Sequence, residues 1–328
     1  MLSFNDPMRP WPTLETYGRT VSLPKSGIEL FTYDTGPADG GTLLLVHGLG
    51  DEADTWRYLL PDLAAENRVL APDLPGFGRS SRPDRPLTAP FLVSVLLELL
   101  DELEADPVVL VGSSLGGLLC QEIVLSQPER ATGLVLLDGT LLATGQALNL
   151  RLLLFMIPGV GEWLYKRLRR DPQAAFDTLQ PYYAGLDGLT PADRDFLFQR
   201  VNERVWSDKQ RRAYFSVLRQ LAMWSPRQQK SLPDRLGRCS TPTLAIWGEE
   251  DHIVSVAAAE RLVELQPTAR LVSMAAAGHL PHQEKPAAVL AAIWEDGRLF
   301  GGWIKLRGQR KKWIRPRIQG YQAESATE

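Results

Sequence analysis

The sequence predicts an α/β fold: a mostly parallel, doubly wound sheet of about eight strands, interrupted by a helical cap. Three observations predict it. Short apolar runs alternate with helical patterns over residues 20–139 and again over 234–300. Between about 140 and 233 the alternation stops and only helical patterning remains. Finally, Val108–Val111, a buried-strand pattern, runs into Gly112-Ser113-Ser114-Leu115-Gly116, with a helical pattern from Leu115 to about Gln127. A Gly-x-Ser-x-Gly turn acquires meaning only in that strand–turn–helix context.

In chain order, residues 1–19 read as an irregular arm. Thr20–Leu23 and Ile28–Asp34 read as strands joined at Lys25-Ser26-Gly27. Thr42–Val46 is continuously apolar, as a strand covered on both faces must be, and closes on His47-Gly48-Leu49-Gly50. A helix is expected over Thr55–Ala65, capped by Asp54. Arg68–Ala71 is the next strand, followed by the glycine- and proline-dense loop 72–80; Ala89–Ala105 is a leucine-rich helix. Gly133–Leu137 is a strand closing on Asp138-Gly139. The insertion carries helical patterns at Leu150–Met156, Glu162–Arg169, Ala192–Arg204 and Lys209–Met223, too long for a connection inside one compact unit. The α/β rhythm resumes with strands at Thr243–Trp247 and Arg270–Ser273 and helices near Val256–Leu265 and Ala287–Trp294.

Composition narrows the function classes. The chain has 328 residues, 44% hydrophobic and 23% charged, ordinary for a soluble globular protein with one core and an inserted cap. A formal charge of −3 gives no global nucleic-acid signature. Cys120 and Cys239 are too few for a disulfide framework, which fits a reducing compartment. Met1–Thr13 holds Asp6, Arg9 and three prolines without an apolar run, so no secretory signal is expected and a cytoplasmic location is. No stretch reaches the ~18 apolar residues of a membrane span. The tail 301–328 crowds Lys305, Arg307, Arg310, Lys311, Lys312, Arg315 and Arg317 around Trp303 and Trp313. It is expected to be a solvated terminus, with weak contact to an anionic membrane surface as the sharper alternative.

Ser114 is the candidate nucleophile. A serine hydroxyl is inert unless a base takes its proton, an acid orients that base, and donors receive the oxyanion. Of four histidines, His279 follows Gly278 just past the last strand, where a loop reaches the sheet's C-terminal edge; His282 is the rival. Asp251, leaving the strand that ends in Trp247-Gly248, is a candidate acid, and Asp138 at the end of an earlier strand is another. The backbone N–H groups of Leu115 and Leu49 are the candidate oxyanion donors.

These motifs, together with Asp73-Leu74-Pro75-Gly76-Phe77-Gly78-Arg79-Ser80 and Gly278-His279-Leu280-Pro281-His282-Gln283-Glu284-Lys285-Pro286, fall in the order of the α/β-hydrolase fold superfamily, which the chain resembles over about residues 20–300. The resemblance implies Ser114 as nucleophile, Asp251 as acid, His279 as base and a cap inserted after the sixth strand. Haloalkane dehalogenases and soluble epoxide hydrolases of that superfamily carry aspartate where Ser114 stands. Its carbon–carbon bond hydrolases usually have asparagine and tryptophan where this chain has Ser113 and Leu280. The expectation is an esterase-like serine hydrolase acting on a small-molecule ester, with no cofactor and no metal. A carbon–carbon hydrolase or cofactor-free perhydrolase is the alternative, and a non-catalytic ligand-binding module the alternative of another class. Leu150, Leu152, Leu153, Leu154, Phe155, Met156, Ile157, Trp163, Trp206, Met223 and Trp224 give the cap apolar mass, favouring an apolar acyl or aromatic group. Arg167, Arg169 and Arg170 are expected to form a solvated face.

Overall fold

Strands β1 (Gly18–Leu23), β2 (Ile28–Thr35), β3 (Thr42–Val46), β4 (Arg68–Pro72), β5 (Val108–Ser113), β6 (Ala131–Leu137), β7 (Thr243–Gly248) and β8 (Ala269–Met274) make one sheet. Their order is β1-β2-β4-β3-β5-β6-β7-β8 in a computed structural model that describes residues 4, 8–37, 41–142 and 154–296. β1 and β2 form an antiparallel hairpin, β2 lies antiparallel to β4, and every pair from β4 onward is parallel. The sequence-predicted class and strand count therefore stand.

The continuous apolar runs are explained by the two faces. Leu44, Val46, Leu110, Leu134, Leu136 and Trp247 point to one side of the sheet. Their chain neighbours Leu43, Leu45, Val109, Val111, Val135, Leu137 and Ile246 point to the other. Alternate residues feed two cores, so the middles of the central strands are apolar on both faces.

In the core, α1 (Leu60–Leu63), α2 (Ala89–Glu102) and α3 (Leu115–Ser126) precede the insertion. The insertion contains α4 (Val160–Arg167), α5 (Pro172–Asp177), α6 (Pro191–Trp206), α7 (Asp208–Gln228) and α8 (Leu232–Gly237). The core is then completed by α9 (Ala257–Leu265), α10 (Pro281–Glu284) and α11 (Pro286–Glu295). α2, α3 and α9 cover the first face, and α1 and α11 cover the second. Local chemistry starts the helices where expected: Thr88, Thr190 and Ser207 each accept a backbone N–H in the first turn of the helix that follows. Residues 143–153 and 297–328 lie outside the described residues, and with them most of the helix expected at Leu150–Met156 and the basic tail.

One expected element is different. In place of a helix over Thr55–Ala65, a 3-10 turn at Ala53–Trp56 is followed by the single turn α1. Asp54 does not cap it. Its carboxylate is drawn elsewhere, accepting the Trp11 N–H at 2.9 Å and the Tyr33 hydroxyl, and facing Arg79 and Arg200, each at 3.1 Å.

That carboxylate belongs to a buried ionic seam between insertion and core. Arg57 pairs with Asp193 at 3.0 Å, Arg200 also reaches Glu52 at 3.3 Å, and Arg204 reaches Glu52 at 2.7 Å. Removing one partner leaves buried charges uncompensated, which costs about 3–5 kcal/mol. Asp54→Ala is expected to lose an amount of that order in urea denaturation; a loss under about 1 kcal/mol would show that the seam does not hold the insertion to the core.

Candidate active site

The sharp turn after β5 places Ser114 at φ 52° and ψ −116°, a sparsely populated conformation for a residue with a side chain. Its neighbours enforce the turn. A Cβ on Gly112 would stand 2.4 Å from the Gly116 carbonyl carbon, and one on Gly116 would stand 1.9 Å from the Val46 carbonyl oxygen. The Ser114 N–H donates to Leu137 O at 2.9 Å, fixing the serine over the end of β6. Leu115 opens α3, so its N–H has no intrahelical acceptor and lies at the positive helix end.

The loop after β3 lies against the serine: a Cβ on Gly48 would be 3.3 Å from Ser114 Cβ. Asp51 N–H donates to Gly48 O at 3.3 Å, closing a turn with Gly50 at φ 78°. That bond leaves the Leu49 N–H unused by the turn. His47 pins the loop from within. Its Nδ1 donates to Gly48 O at 2.8 Å, and its Nε2 accepts the Leu74 N–H at 2.8 Å. Burial holds its pKa below the ordinary value, so the imidazole stays neutral.

At the same edge, Asp251 leaves β7 and His279 follows β8. His279 Nδ1 donates to Asp251 Oδ2 at 2.8 Å, with both side chains almost wholly buried. Asp251 Oδ1 accepts the N–H groups of Ile253 at 2.7 Å and Val254 at 3.0 Å. His279 Nε2, on the far side of the ring, is buried and has no hydrogen-bond partner. Among the described residues, the donor atoms of Asp138, Asp251 and His279 come nearest to metal-ligand spacing, all within 4.8 Å of one another. The imidazole Nδ1 and Asp251 Oδ2 are already hydrogen bonded to each other, however, which engages two of the three groups.

The other candidates stand apart. His282 bonds Thr55 Oγ1 at 2.8 Å through Nε2 and packs on Trp56, with ring centroids 4.8 Å apart. His252 is exposed.

Residues 41–286 match the family described as alpha/beta hydrolase fold. The chain belongs to that family. Among its relatives, a 2-hydroxy-6-oxononadienedioate/2-hydroxy-6-oxononatrienedioate hydrolase of Cupriavidus pinatubonensis is 30% identical, over 83% of this chain and 87% of that protein. The dihydrolipoyllysine-residue acetyltransferase component of an acetoin cleaving system from Pseudomonas putida is 29% identical over 77% of this chain; the match spans 62% of that longer protein. A solved thermophilic esterase of Thermogutta terrifontis has a TM-score of 0.68 at 25% identity, covering 86% of this chain and 98% of that one.

In this α/β hydrolase, sequence reasoning missed the residues that hold the base and roof the loop. Glu284, quoted in the His279 motif without a role, accepts the N–H groups of Gly278 at 2.7 Å, Ala184 at 2.8 Å and Gly185 at 3.1 Å. His279 N–H donates to Tyr182 O at 2.9 Å, and the two rings lie 5.7 Å apart. Tyr214 rests on Gly50, 3.1 Å from where a Cβ would stand, and meets Tyr165 at 5.8 Å. Burial pushes the Tyr165 phenol up to about 12, so it is a neutral donor. Of the apolar residues of the insertion singled out from sequence, Leu154, Ile157, Trp163, Trp206 and Met223 are exposed, and Phe155 joins this aromatic group, 4.9 Å from Phe215. Among the arginines, Arg167 and Arg170 are exposed, while Arg169 pairs with Asp208. No spacing in the chain signals these tyrosines, because their partners come from remote loops.

Burial lowers the pKa of His282 from 6.5 to about 3. The folded protein binds its proton less readily than the unfolded chain, so this stability is complete above 6.5 and declines as pH falls toward about 3. His282→Gln keeps a bond to Thr55 without the titration. Its unfolding free energy is expected to fall less between pH 7 and pH 4.5 than that of wild type, measured by urea denaturation at both pH values; equal falls would contradict the assignment.

Proposed function

We propose that the protein is a serine hydrolase cleaving a carboxylic ester through an acyl-enzyme. Ser114 is the nucleophile, His279 the base, and Asp251 the acid that orients it. One observation carries the reading: the buried 2.8 Å bond from His279 Nδ1 to Asp251 Oδ2, with Nε2 left unpartnered on the sheet edge that bears Ser114. In the first step Ser114 Oγ bonds the ester carbonyl carbon while its proton passes to Nε2. The N–H groups of Leu115 and Leu49 receive the oxyanion. The tetrahedral adduct collapses, the leaving alkoxide takes the proton from His279, and an alcohol departs. Water then adds to the acyl-enzyme by the same route and releases the acid. The aromatic group Phe155, Tyr165, Tyr214 and Phe215, with Tyr214 seated on Gly50, supports an apolar acyl or aromatic group on the substrate.

A second reading is hydrolysis of a carbon–carbon bond on the same three residues, favoured by the 30% identity to the Cupriavidus pinatubonensis hydrolase. Ser113 and Leu280 stand against it as departures from the residues usual in such enzymes.

p-Nitrophenyl esters of rising chain length and a ring-fission dienone separate the two by their products. Ester turnover in wild type is expected, with a loss of at least about 10⁴-fold in Ser114→Ala. Dienone cleavage with no ester turnover would move the assignment to the second reading. A fluorophosphonate probe that fails to label Ser114 in native protein would leave a ligand-binding module.

A further inference from the structure

Asp138 is buried at the end of β6 with nothing in the proposed chemistry to explain it. Its side chain is 0% exposed and its backbone lies at φ 51°. Oδ1 accepts the Gly248 N–H at 2.9 Å, which ties β6 to the end of β7. Oδ2 is buried and receives no N–H or hydroxyl from any described residue. Instead, a carboxyl oxygen of Asp138 stands within 4.8 Å of one of Asp251 and of a ring nitrogen of His279.

Two carboxylates that close, both out of water, cannot both be ionised. The donors decide which holds the charge. Asp251 accepts three bonds, from Ile253 N, Val254 N and His279 Nδ1. Asp138 accepts one. The remaining charged or titratable groups facing it reinforce the asymmetry. Glu284 on α10 is a further acid, satisfied by three backbone N–H groups, and His279 directs its Nδ1 to Asp251. No described cation is paired with Asp138.

We infer that Asp138 is a neutral carboxylic acid whose Oδ2–H donates to the Asp251 carboxylate, making it a positioning residue for the acid of the proposed triad. Burial, and after it the charge of Asp251, hold its pKa well above the ordinary carboxylate range. The bond does two things. It fixes the Asp251 carboxylate plane from the side opposite the backbone donors. It also withdraws charge from Asp251, which weakens the anion that faces the imidazole. The inference rests on the triad reading for its effect on reactivity, though not for the protonation itself.

The test uses the full chain and the pH profile of fluorophosphonate labelling at Ser114. Asp138→Asn replaces a neutral donor by a neutral donor, so the acid limb is expected to stay within a few tenths of a pH unit. Were Asp138 ionised, removing a charge within 4.8 Å would move the limb down by about one unit or more, and that would overturn the inference. Asp138→Gly tolerates the positive φ and removes the donor. Its limb is expected to rise by about half a unit or more, with thermal unfolding checking that it is folded. An unchanged limb in folded D138G would also overturn the inference. Independently of reactivity, an infrared difference spectrum of wild type minus D138N is expected to show the carbonyl stretch of a protonated acid at neutral pH, and its absence would refute the protonation. If wild type is not labelled at all, the triad reading fails, while the infrared band still decides the state of Asp138.

Discussion

A methyl group on Gly116 would stand 1.9 Å from the carbonyl oxygen of Val46. That approach of α3 to the end of β3 is the constraint on which the candidate site depends. It brings the helix start onto the sheet edge, and forces Ser114 into a strained conformation to make the corner. It also sets the loop after β3 against the same serine, so nucleophile and both candidate oxyanion donors share one small volume. The strain at Ser114 is sustained by β3, β5 and β6, each of which is saturated with backbone partners and buried on two faces.

The insertion meets the core through charge as well as through apolar contact, Ala213 and Val217 joining the first-face core. Arg57, Arg200 and Arg204 face Asp193, Glu52 and Asp54 across the junction, several of them wholly buried. Desolvating such pairs costs nearly what their attraction returns, so the seam adds little net stability. Its effect is on register: an insertion shifted by one helical turn would separate Arg57, Arg200 and Arg204 from these partners. The same seam runs through residues 51–57, directly after the loop that contains Leu49, and so couples the position of the insertion to that loop. Glu284 and Tyr182 do the equivalent for the loop bearing His279, holding it to residues 182–185 of the insertion.

Much of this was legible before any coordinates. Continuous apolar runs announced central parallel strands, and the glycines flanking Ser114 announced the corner. The expected helix over Thr55–Ala65 was misread because Asp54 has the chemistry of a helix cap, and nothing local says that Arg79 and Arg200 compete for it. Asp138 and Asp251 were both open as the acid from sequence. The structure puts them side by side, with Asp251 on the imidazole and Asp138 behind it.

Local chemistry by itself determined the class of fold, the position of the corner and the short set of groups able to do acyl chemistry, because strand periodicity and steric exclusion at glycine act between near neighbours in the chain. Which carboxyl meets which imidazole nitrogen, which tyrosines roof the loop and where Asp54 turns were decided only by the tertiary structure. Those contacts join residues far apart in the chain, 146 positions for Asp54 and Arg200, and burial and shared hydrogen-bond donors, absent from any local pattern, select among chemically equivalent partners.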